Sequence, residues 1–300
     1  MLHTIKKIEK MNVLSLFDGM SCGQIALNRA GFNIENYYAC EIDKYAIQIT
    51  QANYPNTIQL GDVTKVSALD LPSLDLVIGG SPCQGFSFAG KQLNFEDPRS
   101  KLFFEFVRLL KEARVKNPNV KFLLENVKMK KEYQDVISQY LVVEPIEINS
   151  ALVSAQNRVR FYWTNLEGVE QPTDKSIMLK DIIESGKVDR DKSLCLTQRY
   201  CSFQGSQSYL RRRYFGKAMG QAVFENIEPI LQKAFFKNTP FEETDQLGNI
   251  RSLSRLECER LQTVPEGYTD KASIYESKRM LGNGWTVEVI AHILKSDLSL

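Results

Sequence analysis

A cysteine, a glutamate and two arginines stand where reactive side chains are useful. Cys83 lies in Gly79-Gly80-Ser81-Pro82-Cys83-Gln84-Gly85-Phe86-Ser87, directly after the apolar run Leu74-Asp75-Leu76-Val77-Ile78. Most single cysteines are small buried hydrophobes. The proline, glycines and serines around Cys83 suit a loop that exposes a thiol better than a packed core. A branched-apolar run closed by Gly-Gly reads as a buried strand ending in a turn, and open α/β sheets keep their chemistry at such strand ends. Glu125 follows a second run, Lys121-Phe122-Leu123-Leu124. With both runs in one parallel sheet, thiol and carboxyl face one crevice, the pairing expected where a nucleophile attacks and an acid assists. Period-two alternation in Gln156-Asn157-Arg158-Val159-Arg160 puts Gln156, Arg158 and Arg160 on one strand face. Arginines there form either an exposed edge or planar forks that hold phosphate or a carbonyl oxygen.

The elements that must position these groups begin with Asn12-Val13-Leu14-Ser15-Leu16-Phe17, a strand followed by Asp18-Gly19-Met20-Ser21-Cys22-Gly23 and a helical stretch through Ala30. Strand, glycine turn and helix N-terminus together make a ligand cradle, because glycine permits close backbone approach and free N–H groups point outward. The Gly-x-x-x-Gly spacing departs from the dinucleotide fingerprint. Tyr37-Tyr38-Ala39-Cys40 is a second strand ending in Glu41-Ile42-Asp43, at the separation where an acidic side chain meets ribose hydroxyls. Thr57-Ile58-Gln59-Leu60 is a third, closing with Gly61-Asp62-Val63. Asp18, Glu41 and Asp62 at successive strand ends suggest a nucleoside with an amine-bearing base and a cationic or polar tail. Each carboxylate taken separately is equally well an ordinary turn cap. Lys101 to Leu110 has the apolar spacing of a helix lying on the sheet.

The chain has 300 residues, 43% hydrophobic and 25% charged, with a net charge of +2. That is enough for one large core and a smaller second domain. Binding to nucleic acid must come from a local patch rather than a global field. Six cysteines without paired spacing read as reduced thiols of an intracellular protein. Cys195 and Cys201 with His3 and His292 make no convincing zinc set, so no metal is expected. No signal-peptide core and no membrane-length apolar run is present, so no membrane contact is expected. Beyond about residue 166 the βα rhythm fades into a region that mixes cations with rings, among them Tyr209, Arg211, Arg212, Arg213 and Tyr214. Such interleaving fits contact with phosphates and a groove. Ser254 and Glu257 stand at capping-box spacing ahead of a helix, and Val289 to Leu294 enters a final apolar helix.

Taken together, Phe17-Asp18-Gly19-Met20-Ser21-Cys22-Gly23, Glu41-Ile42-Asp43, Gly61-Asp62-Val63, Ser81-Pro82-Cys83-Gln84, Glu125-Asn126-Val127, Gln156 to Arg160, Arg260-Leu261-Gln262 and Gly282-Asn283 resemble the DNA (cytosine-5)-methyltransferase family, in family order and over nearly the whole chain. The stretches around Arg99 to Phe106 and Leu281 to Val287 look most like animal de novo and phage or bacterial members. Gly284-Trp285 departs from the Ser-Val of many bacterial members. The resemblance implies a Rossmann-like α/β sheet dependent on S-adenosyl-L-methionine, with a smaller target-recognition domain. The catalytic domain would be discontinuous, 1–165 and 272–300, around a recognition domain at 166–271. It implies that Phe17, Asp18, Gly19, Ser21, Gly23, Glu41, Ile42, Asp62, Val63, Pro82, Asn283 and Trp285 surround the methyl donor. Glu41 would bind ribose hydroxyls, Ile42 would pack on adenine, and Asp62 would accept from its amine. Cys83, Glu125, Arg158 and Arg160 would act on cytosine in duplex DNA. Gln84, Ser87, Lys91, Arg99, Arg211, Arg212 and Arg213 would contact the DNA, with Gly85 to Lys91 forming a loop that closes over the target.

Carbon 5 of cytosine is too weak a nucleophile to take a methyl unaided. The implied route is addition of the Cys83 thiolate to carbon 6, with Glu125 at N3 and the exocyclic amine, Arg160 at O2, and Arg158 steadying the flipped nucleotide or its phosphate. The base must leave the stack, since attacking groups cannot reach it there. A cognate restriction endonuclease is a candidate partner, and a cytoplasm with access to DNA the expected location. The rival readings are a transfer-RNA cytosine methyltransferase of the same fold and a catalytically silent DNA-binding relative. Cys83→Ala is expected to abolish methyl transfer while DNA and donor binding survive, assayed by incorporation of labelled methyl groups alongside equilibrium binding; full turnover by the variant overturns the covalent route.

Overall fold

The computed structural model describes residues 10–82, 101–217, 220–225 and 249–297. Cys83, Gln84, Ser87, Lys91 and Arg99, with the whole expected closing loop, lie outside the described residues. Contacts divide the chain into two compact units, one of Met1–Ile148, Val159–Gln171 and Val289–Leu300, the other of Asn149–Arg158 and Pro172–Glu288.

In the first unit the chain runs β1 (Lys10–Leu16), α1 (Cys22–Ala30), β2 (Asn33–Cys40), α2 (Lys44–Asn53), β3 (Ile58–Gln59), β4 (Leu76–Gly79), α3 (Lys101–Lys116), β5 (Lys121–Val127), α4 (Lys131–Leu141), β6 (Ile146–Asn149) and β7 (Val159–Thr164). The sheet order is β3-β2-β1-β4-β5-β7-β6. β1 pairs in parallel with both β2 and β4, so strand order reverses between β1 and β4. That reversal is where open α/β sheets bind ligands, beyond the carboxyl ends of the strands. Leu14, Leu16, Val77, Phe103, Phe106, Phe122, Leu124 and Trp163 are all 0% exposed and make up the heart of the core. Central strands flanked by helices are buried on both faces, which is why these runs are apolar without alternation.

Gly79 lets β1 and β4 end close together. A Cβ there would meet Leu16 O at 3.0 Å and the Phe106 ring at 3.1 Å. α3 runs past the expected Leu110 to Lys116. Arg108 bridges Glu105 at 2.7 Å and Glu112 at 2.8 Å on its exposed side, the i,i+3 and i,i+4 spacing that supports a helix. β5 likewise runs past the expected Leu124. It pairs antiparallel with β7 as far as Val127↔Arg160, so Glu125 lies inside a strand and not just after its end.

The second unit contains α5 (Gln207–Lys217), a two-stranded antiparallel sheet of β8 (Ala222–Glu225) and β9 (Asn249–Ser252), α6 (Arg255–Gln262) and α7 (Ile274–Asn283). Ser254 and Glu257 form the expected capping box at the start of α6. The chain then enters α8 (Val287–Ser296), which rejoins the first unit at Val289. α7 groups with the second unit by its contacts. The physical reason is packing, since α7 lies on α6 and on the turn Gln198–Ser202.

Two features hold this unit together. The Lys192 ammonium donates to the carbonyl oxygens of Ala151 at 2.6 Å, Ser154 at 3.0 Å and Ile177 at 2.7 Å. Gly282 lies against the backbone of Thr197, whose carbonyl carbon and oxygen would both be 2.3 Å from any Cβ. Backbone atoms cannot swing aside as a side-chain end can, so Gly282→Ala should destabilise the protein by about 1–3 kcal/mol or more. Gly31→Ala, whose Cβ meets nothing within 4 Å, should cost only about 1 kcal/mol for its left-handed backbone. Urea midpoints of the two variants test this ordering, and a Gly282→Ala midpoint equal to wild type contradicts it.

Candidate active site

The loop after β1 is built on left-handed backbone at alternate residues, with φ of 57° at Phe17, 59° at Gly19 and 60° at Ser21. For phenylalanine and serine this costs about 1–2 kcal/mol each. A buried polar cluster offsets it. Asp18 is 9% exposed and its carboxylate turns inward. It accepts from the hydroxyls of Ser15 at 2.6 Å, Tyr37 at 2.7 Å and Ser21. Because the Ser21 hydroxyl serves Asp18, it makes no cap bond to α1. Burial pushes the Asp18 carboxyl up to about 6, against the three hydroxyl bonds that favour its ionised form.

At the end of β2, the Glu41 carboxylate accepts from the Gly19 N–H at 2.7 Å and from the N–H groups of Ile42 and Asp43 at 2.8 Å each. Ile42 is 77% exposed beside it, an apolar platform with nothing covering it among the described residues. Asp43 caps α2 through the Tyr45 N–H. Asp62 caps the turn Val63–Lys65, accepting the Thr64 N–H at 3.0 Å and its hydroxyl at 2.8 Å. These two bonds hold its carboxyl below the usual range. Val63 is buried, and so is Gly23 within α1.

Beyond β4, the buried Ser81 is braced by Asn126, whose side-chain amide donates to Ser81 Oγ at 3.2 Å and to its carbonyl at 3.4 Å. The half-buried Pro82 follows as the last described residue before Cys83. On β5 and β7, Glu125 and Arg160 form an ion pair with Arg160 Nε 2.9 Å from Glu125 Oε1. The Nε–H is not aligned for a hydrogen bond along that line, and Arg160 Nη1 donates to the Val159 carbonyl at 2.8 Å. Glu125 is buried and Arg160 half-buried, with side chains only 11% and 14% exposed.

Arg158 lies in the second unit and is 3% exposed. Its guanidinium donates to the carbonyls of Leu196 and Gly284, each at 2.7 Å. Gln156 donates to the Leu261 carbonyl at 2.7 Å and to Gln262 Oε1 at 2.8 Å. Gln262 in turn donates to the carbonyls of Leu281 and Gly284. The Gln-x-Arg and Arg-Leu-Gln stretches thus brace the segment that carries the exposed Asn283 and the buried Trp285. Of the arginine run on α5, Arg211 is 7% exposed and points inward, while Arg212 is exposed. Arg213 lies over the Tyr209 ring and donates to its hydroxyl at 3.2 Å.

Sequence reasoning missed Ser15, Tyr37 and Asn126. A serine inside the apolar run of β1 was the visible signal for the first. Gly19 has open space where a Cβ would sit, Ile42 offers an uncovered apolar face, and the half-buried Asp62 retains acceptor capacity. S-adenosylmethionine therefore fits the residues present. Among the described residues, no group of three or more His, Cys, Asp or Glu side chains is arranged to hold a metal ion, and no helix is long and apolar enough to cross a membrane.

A mostly parallel sheet with its order reversed beside β1 and acidic strand ends defines the class of Rossmann-like methyltransferases. Within that class the chain belongs to the C-5 cytosine-specific DNA methylase family, whose profile matches residues 11–298. It is 29% identical to the Type II methyltransferase M1.ScrFI of Lactococcus lactis subsp. cremoris, over 98% of this chain and 80% of that one. It is also 29% identical to the Type II methyltransferase M.NlaX of Neisseria lactamica, over 96% and 97%. The solved Entamoeba histolytica methyltransferase EhMeth shares the fold at a TM-score of 0.69 and 16% identity, over 96% of this chain and 98% of that one.

The raised Asp18 carboxyl has a defined sign in stability. Its favourable contribution is complete below the ordinary value of 3.8 and is lost as pH rises through about 6. Relative to Asp18→Asn, the wild-type protein should gain about 1 kcal/mol on going from about pH 7 to about pH 5. Urea unfolding of both proteins at the two values measures it; parallel shifts in the two would refute it.

Proposed function

We propose that this DNA cytosine methyltransferase works on a base flipped out of duplex DNA, through a covalent bond from Cys83 to carbon 6. The observation that supports this most is the Glu125–Arg160 pair, an acid and a planar cation side by side on β5 and β7. When the base arrives, the Glu125 carboxyl accepts from the exocyclic amine and passes a proton to N3, and the Arg160 fork donates to O2. Both interactions draw electron density from the ring and make carbon 6 receptive to the thiolate. The chemistry the donor supplies when bound is an electrophilic sulfonium methyl. After transfer, loss of the carbon 5 proton and expulsion of the Cys83 sulfur restore the enzyme.

For the donor, Glu41 holds the ribose, Ile42 packs on adenine and Asp62 accepts the adenine amine, with Phe17, Gly19, Ser21, Gly23, Val63 and Pro82 lining the remainder and Asn283 and Trp285 completing the set. Arg158 acts as a positioning residue for the Gly284 turn, because its donors are engaged with carbonyls. The recognition domain is proposed at 166–271, with Arg212 and Arg213 contacting phosphates, joined by Gln84, Ser87, Lys91 and Arg99. A cognate endonuclease inside the same cell fits relatives that bear Type II names. Bisulfite sequencing of DNA from a methylation-free host expressing the protein is expected to reveal 5-methylcytosine in one short sequence context. Methyl incorporation into purified transfer RNA and none into duplex DNA would overturn the substrate.

A further inference from the structure

Asp18 has the composition of a ligand residue and the geometry of something else. Both of its carboxylate oxygens are engaged inside the protein, by one hydroxyl from β1, one from β2 and one from the start of α1. We propose that Asp18 is a positioning residue for donor binding: its carboxylate sets the left-handed loop that delivers the Gly19 N–H to Glu41, and itself touches no donor. This rests on the reading that the strand-end loop receives S-adenosylmethionine.

The hydrogen-bond directions leave Asp18 no substitute. Ser21 Oγ accepts from Thr50 Oγ1 at 3.1 Å and from Gln24 Nε2 at 3.3 Å. A hydroxyl has two acceptor lone pairs and one proton. With both lone pairs used, the Ser21 proton must go to an acceptor, which is Asp18. Tyr37 and Ser15 approach the other carboxylate oxygen as donors. An amide in the place of the carboxylate turns one acceptor into a donor pair and sets it against a hydroxyl.

The cluster extends outward through Gln24, which also donates to Thr57 Oγ1 at 2.7 Å, and through Thr50, which approaches the Gly19 carbonyl at 3.4 Å. One carboxylate thereby ties β1, β2, α1 and α2 to the backbone that faces Glu41. The titratable groups that face it all belong to β2 and its end: Tyr37, the Cys40 thiol, which burial pushes up to about 12, and Glu41.

The experiment separates a positioning role from direct contact by using two variants of the same cluster. Tyr37 is 3% exposed on β2, so Tyr37→Phe removes one donor to Asp18 and nothing at the loop surface. Equilibrium binding of S-adenosylmethionine by calorimetry is expected to weaken roughly tenfold in Asp18→Asn and several-fold in Tyr37→Phe, the order expected for a hydrogen bond to a charged group. In steady-state assays KM for the donor rises in both while kcat changes less than twofold, and duplex DNA affinity is retained. Donor affinity lost in Asp18→Asn and unchanged in Tyr37→Phe means that Asp18 contacts the donor directly, which overturns the proposal. Wild-type affinity in both variants overturns it as well. Wild-type protein that binds no S-adenosylmethionine sinks the donor reading and the proposal together. Should Asp18→Asn not fold, Tyr37→Phe and Ser15→Ala, each removing a single donor to the same oxygen, decide the matter.

Discussion

The close approach of β1 and β4 is the constraint on which the rest of the first unit depends. A Cβ on Gly79 would crowd the Leu16 carbonyl at 3.0 Å and the Phe106 ring at 3.1 Å. Because the two strands end together, the loops that follow them leave from neighbouring points on the sheet. One loop carries Phe17 to Ser21, the other Ser81, Pro82 and then Cys83. The turn after β1 and the start of the turn after β4 are adjacent by topology before any particular side chain is considered. The same glycine that reads in the sequence as a turn signal is in fact a packing requirement one residue earlier.

The loops differ in how they are stiffened. Left-handed residues after β1 are held by a charge buried among hydroxyls, an arrangement that is costly when incomplete and rigid when every partner is present. The Ser81 turn is held instead by a neutral amide on the adjacent strand, Asn126, which bridges from β5. Glu125 and Asn126 alternate on that strand, so β5 turns one residue to the Arg160 ion pair and the next to the Ser81 turn. Antiparallel pairing with β7 extends β5 far enough to allow both.

Much of this was legible in the residues. Strand-end carboxylates, the capping box of α6 and the parallel βα rhythm follow from apolar runs and turn chemistry, which are local. Less legible were facts created by contact between distant segments. Nothing local marks Tyr37 as a partner of Asp18, 19 residues away, or places Glu125 inside a strand rather than after one. Period-two reasoning put Gln156, Arg158 and Arg160 on one face, yet the strand begins only at Val159. The first two are drawn into a separate network of carbonyls and glutamines. Arg211, in a run of cations that looks uniformly solvated, turns inward on α5, because helical geometry sends consecutive residues in different directions.

Lys192 adds a different kind of consequence. Its ammonium lies among the oxygens of Ala151, Ser154 and Ile177 much as a small monovalent cation lies in a shell of carbonyl dipoles. A cation that is part of the chain cannot dissociate or be exchanged, and its occupancy is independent of the surrounding electrolyte. Proteins that grip DNA feel ionic strength steeply through released counterions. Here the second unit carries a tethered, half-buried cation among its own carbonyls, a contact that no dissolved salt has to supply.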